Sequence, residues 1–134
     1  LKFSGALLID AGLADQYLSD SGVALATVAP QLQYMVGQPF EVDTLATYLH
    51  GSVDTGASVE IRLAQAVGPG GVLTDVPGLI VTYPGGSAGG EAIATLPALS
   101  PATFAQNDRY AVRVLVNGTL QAGRVVTAEV SRRP

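Results

Sequence analysis

Between Ala57 and Gln65 apolar and polar residues alternate, with Val59, Ile61 and Leu63 on one face and Ser58, Glu60 and Arg62 on the other. That period of two is the signature of a strand with one buried face. Residues 109–116 repeat it, placing Tyr110, Val112, Val114 and Val116 inward and Arg109 and Arg113 outward. Asn117-Gly118 follows at once, and both residue types tolerate the positive φ of a type I′ turn, which predicts a hairpin returning over Leu120 to Val130. Upstream, Phe40 and Val42 alternate with Glu41 and Asp43, and Leu45, Thr47 and Leu49 then continue on the opposite parity. A bulge near Asp43-Thr44 accounts for the switch, and Gly51 to Gly56 joins this strand to the next.

Shorter strands are predicted at Leu79 to Tyr83 and Glu91 to Leu96, separated by the loop Pro84 to Gly90, and a second loop spans Gly68 to Gly78. Near the N-terminus Ala6 to Ile9, Val23 to Val28 and Leu32 to Val36 read as strands, while Ala11, Leu13, Ala14 and Gln16 permit a helical turn before Tyr17. The pattern holds about eight short strands, no long helix, no βαβ rhythm and no internal repeat. It predicts an all-β fold, a two-sheet antiparallel β-sandwich of jelly-roll or Ig-like type. One domain is expected, with its core in residues 36–134. Residues 1–35 form either ordinary first strands or an arm that pairs with a neighbouring subunit.

Composition adds constraints. A chain of 134 residues is long enough to bury one core. Charged residues make up only 13%, about half the usual share, so the surface is rich in Ala, Gly, Ser and Thr and suits lasting contact with another protein. The chain contains no cysteine, which excludes disulfides, thiolate metal sites and thiol nucleophiles. A net charge of −4 argues against nucleic acid, whose phosphates demand a basic patch. The apolar run Ala6 to Ile9 is too short for a signal-peptide core, and no segment approaches the length of a spanning helix, so a soluble chain without membrane contact is expected. Residues 1–61 hold Lys2 against seven acids, and residues 62–134 hold six arginines against four acids; head-to-tail packing of copies is one use for that asymmetry. Arginine supplies six of the seven basic side chains, and its planar fork suits protein interfaces.

Reactive chemistry is sparse. The only histidine, His50, stands at a strand end before Gly51, and a lone His supplies neither a zinc site nor a catalytic triad. Glu41 and Asp43 share one outward strand face, as a solvated pair would. Asp10, Asp15 and Asp20 are not spaced like the ligands of a calcium loop. The segments Gly68-Pro69-Gly70-Gly71 and Gly85 to Gly90 lack the Lys-Ser/Thr of a phosphate loop and read as flexible connectors. Asn117-Gly118-Thr119 matches a glycosylation sequon, but turn geometry explains it. No catalytic, metal-binding or cofactor-binding residue and no small-molecule substrate is expected, and the chain reads as a structural or binding part rather than an enzyme.

Asp108-Arg109-Tyr110-Ala111-Val112-Arg113-Val114 resembles a strand found near the end of many immunoglobulin-like domains, where the Tyr closes a corner, with Val112 standing where an antibody domain has Cys. The composition, Asp10-Ala11-Gly12, Tyr17-Leu18-Ser19-Asp20-Ser21-Gly22 and the long glycine loops together resemble small virion proteins of tailed bacteriophages, above all capsid cement or decoration proteins. That resemblance implies binding to the major capsid protein on the capsid exterior, self-association as in the trimers of that family, and bracing of the joints between capsomers. Many weak copies on a lattice gain avidity, so modest interfaces suffice. Leu73, Val76 and Leu99, on loops or beside proline, are the candidate partner contacts, together with Arg124. The alternative is a receptor- or glycan-binding sandwich of a phage tail, fibre or cell-surface adhesin.

Overall fold

The computed structural model describes residues 1–7, 15–20 and 33–132. Among these lie eleven strands: β1 (Lys2–Ala6), β2 (Gln16–Tyr17), β3 (Tyr34–Met35), β4 (Phe40–Val42), β5 (Thr44–His50), β6 (Ser58–Ala66), β7 (Thr74–Tyr83), β8 (Gly90–Thr95), β9 (Ala102–Phe104), β10 (Arg109–Asn117) and β11 (Val125–Ser131). One sheet has the order β1-β11-β5-β8, the other β2-β10-β6-β7 with β3 also on β10, and β4 and β9 make a small separate pair. The strand count exceeds the expected eight because β2 and β9, of two and three residues, were not anticipated and because residues 40–50 form two strands, β4 and β5, while β3 falls within the expected Leu32 to Val36.

The eight strands other than β3, β4 and β9, renumbered in chain order, lie 1-8-3-6 in one sheet and 2-7-4-5 in the other. First pairs with last, second with seventh, third with sixth and fourth with fifth, all antiparallel. This nested pairing is a jelly roll, which decides between the two sandwich types that the sequence left open.

The alternation seen in the sequence builds the core. Val59, Ile61 and Leu63 of β6 and Val112, Val114 and Val116 of β10 are buried against Leu45 and Leu49 of β5 and Val126 and Val130 of β11. Each such side chain contributes about 1.5–3 kcal/mol when removed from water. Phe40 stacks on Phe104 at 4.9 Å between ring centres and meets Tyr110 edge-on, and Tyr110 in turn contacts Phe3 and Tyr34.

Several local expectations change. Asn117-Gly118 does not close a hairpin: β11 joins the other sheet, between β5 and β1. Gly118 has φ +76° but Asn117 is not in the left-handed region that a type I′ turn needs. Buried Leu120 and the crossing of segment 118–124 divert the chain instead. The loop expected over Gly68 to Gly78 ends earlier, because β7 starts at Thr74 and carries Pro77-Gly78 inside a register shift against β6. At the N-terminus a strand runs over Lys2–Ala6, while residues 8 and 9 of the expected strand Ala6 to Ile9, and all of Val23 to Val28, lie outside the described residues. The described N-terminal strands pair within this chain, β1 with β11 and β2 with β10. A bridge between Ser4 and Ser19 fastens the two sheets along that side. Where a bulge within one strand was expected near Asp43-Thr44, the chain instead passes from one sheet to another, since β4 pairs β9 and β5 pairs β11 and β8, and Asp43, expected to face outward, is buried.

Candidate binding surface

Three crossings, 51–57, 84–89 and 118–124, meet at one end of the sandwich and leave little space between them. Val53 donates to Ser87 O, Gly86 to Val53 O, and Gln121 N to the Asp54 carboxylate. A Cβ on Gly89, at φ +83°, would collide with the Gly51 carbonyl oxygen, and one on Gly118 with that of Gly56. Only glycine permits both the backbone conformation and the approach. Segment 85–90, expected as a flexible connector, is held by the backbone bonds of Gly86 and Ser87 to Val53 and by the close approach of Gly85 and Gly89 to neighbouring carbonyls, although Gly85, Gly86 and Ala88 stay exposed. Arg124, expected as a partner contact, lies here over Gly51 and donates to Ser52 O at 2.6 Å and Gln121 Oε1 at 3.1 Å. The structure therefore gives its guanidinium an intramolecular role.

The opposite end is formed by segment 67–73, by 96–108 with β9, and by the approach to β5 with β3 and β4. Apolar side chains project there: Met35 is 68% exposed, Val67 70%, Val72 81% and Leu99 98%. Leu73 is half-buried. Val76 corrects the expectation of an exposed contact, because the strand begins before it and turns it into the core. Two adjoining grooves cross this end and share Gln65 and Val67. One, of about 580 Å³, is lined by Pro39, Phe40 and Thr103, and the other, of about 340 Å³, by Val72, Val76 and Pro77.

Asp108 ties this end together. Its carboxylate accepts from Gly68 N at 2.9 Å, Ala105 N at 3.0 Å and Gln65 Nε2 at 3.0 Å. The Gly68 N–H, then that of Ala105 and the Gln65 amide hold its carboxyl below the usual range against the opposing effect of burial. Arg109 reaches Gly71 O and Gln33 Oε1, fixing the 67–73 segment from the other side. In the motif that resembles an immunoglobulin corner, the corner is thus tied by Asp108, while Tyr110 supplies a ring to the aromatic cluster.

Charged groups on the outer face of the second sheet pair with one another. Arg62 and Arg113 are direct cross-strand partners, an arrangement that repels by itself. Asp75 accepts from both, at 3.3 Å from Arg62 and 2.6 Å from Arg113, and Asp15 pairs with both from the N-terminal side. Burial pulls the Arg113 pKa down, but the Asp75 bond and charge, with Tyr17 and Asp15, outweigh it and hold the guanidinium ionised. Arg132 likewise pairs with Glu41. The acidic first half and basic second half thus meet inside one chain, a use for the asymmetry that needs no second copy.

On the outer face of the first sheet a groove of about 410 Å³ is lined by Lys2, Ser4, Tyr48, Glu91, Thr127 and Glu129 among others. Tyr48 is exposed and lies against His50 at 4.6 Å between ring centres. Among the described residues no group of three or more His, Cys, Asp and Glu is placed to hold a metal ion. No helix there is long and apolar enough to cross a membrane.

Of the apolar residues that the sequence singles out as exposed, Leu99 is exposed and Leu73 is half-buried, while Met35, Val67 and Val72 were not singled out. Val67 directly follows the buried Ala66 at the end of β6, and only the position of the strand end separates a core valine from an exposed one. Compared with known proteins, the chain matches no family model and no curated sequence.

Proposed function

We propose that this chain is a structural, protein-binding domain of a virion, attached to the outer surface of a bacteriophage capsid through its apolar end and bracing contacts between capsomers. The observation that carries this reading is the set of exposed apolar side chains at that end, Met35 on β3 and Val67, Val72 and Leu99 on the connecting segments. Apolar side chains gathered at one end of a rigid domain mark a contact surface. The low share of charge and the jelly roll, an architecture used by capsid proteins and lectins alike, support the reading by analogy only. The test is to strip the protein from purified particles and measure their resistance to heat and osmotic shock. Loss of resistance that returns on adding the protein back supports the proposal, and unchanged particles contradict it.

The groove beside Tyr48 favours a second reading, a glycan- or receptor-binding sandwich. An aromatic ring flanked by hydroxyl and carboxylate groups suits the apolar face and hydroxyls of a sugar. Binding of glycans by the isolated domain, lost in Tyr48→Ala, would favour it over capsid attachment.

A further inference from the structure

The two sides of the sandwich end differently. On one side the Ser4–Ser19 bridge links β1 to the opposite sheet. On the other side, among the described residues, β7 and β8 are the last strands of their sheets. β7 carries two common protections of an edge, a proline and an irregularity, at Pro77-Gly78 and the register shift. β8 has no proline, lysine or arginine, runs for 6 residues, and displays Ile93 at 51% exposure.

Hydrogen bonds fix which backbone groups of β8 face outward. Thr47 Oγ1 donates to Ala92 O at 2.7 Å, and Leu96 N donates to Asp43 O at 2.7 Å, on the line of the β5–β8 register. Even-numbered residues therefore turn their N–H and C=O toward β5. By strand alternation Glu91, Ile93 and Thr95 turn theirs to the open edge.

We propose that β8 pairs with β8 of a second copy of this chain, antiparallel and centred on Ile93. The sequence favours this register over its neighbours. Ile93 meets its own mate, Glu91 meets Thr95, and Ala92 meets Ala94, so an apolar contact lies on the two-fold axis and no carboxylates oppose each other. The pairing joins two four-stranded sheets through about six backbone hydrogen bonds. So small an interface gives a reversible, concentration-dependent dimer. It leaves the apolar end free, so it holds or fails independently of capsid attachment.

Because the chain has no cysteine, Ile93→Cys gives a clean distance probe. The two Cα atoms in the proposed pair would lie about 5.5 Å apart, inside the range a disulfide spans. Ile80→Cys, exposed on β7, is the control. Under mild oxidation Ile93→Cys is expected to become mostly cross-linked dimer, and Ile80→Cys to stay largely monomeric. Sedimentation of the unmodified chain should show a monomer–dimer equilibrium. Ile93→Asp, which opposes two carboxylates across the axis at an exposed site, should shift it at least tenfold toward monomer. A chain that stays monomeric at all concentrations, equal cross-linking of the two cysteine variants, or a dimer indifferent to Ile93→Asp would each overturn the proposal.

Discussion

The two ends of the sandwich solve opposite problems with the same kind of sequence. At one end glycines let segments 51–57, 84–89 and 118–124 approach closely, with backbone hydrogen bonds between the first two and the Asp54 and Arg124 side chains tying in the third. At the other end the glycines of segment 67–73 leave Val67 and Val72 pointing to solvent, while Asp108 and Arg109 hold the segment in place. A glycine-rich stretch is therefore not a measure of looseness. The packed end serves stability, and the apolar end presents a surface whose shape is fixed but whose apolar area is unspent.

That contrast can be broken by substitution. Gly89→Val should have the largest effect, about 3 kcal/mol or more, since the side chain meets backbone and φ is positive; denaturant unfolding would measure it. Asp108→Asn should lower stability at neutral pH and do so progressively less in acid. The folded carboxyl has the lower pKa, so its contribution is present above the unfolded value and disappears as pH falls through the folded one. Melting of both proteins between pH 7 and strongly acid conditions checks the convergence. Arg124→Ala should cost about 1 kcal/mol through lost packing and the bond to Ser52, without affecting partner binding. Val72→Ser with Leu99→Ser should change stability by no more than about 0.5 kcal/mol and yet weaken attachment to particles.

Strand content was legible where one face is buried and the other wet. β6 and β10 follow directly from their alternation because Val59 to Leu63 and Tyr110 to Val116 line the core. What the local pattern does not carry is the destination of a strand. Residues 125–131 alternate as a hairpin partner of β10 would, but β11 fits between β5 and β1, a choice made by contacts remote in sequence. Pro77-Gly78 looks like a loop because the signal for a bulge and for a turn is the same, and this hid the burial of Val76. Leu99 was readable as exposed from its neighbours Pro97, Ser100 and Pro101. Met35, Val67 and Val72 were not, since only the packed ends of β3, β6 and β7 decide which way they face.

The division of labour between the two ends is tested most directly by amide hydrogen exchange of the protein free in solution and attached to its particles. Attachment is expected to slow exchange in segments 67–73 and 96–101 and to leave 51–57, 84–89 and 118–124 unchanged. Protection confined to the glycine-packed end, with the 67–73 segment exchanging as in the free protein, would contradict the account.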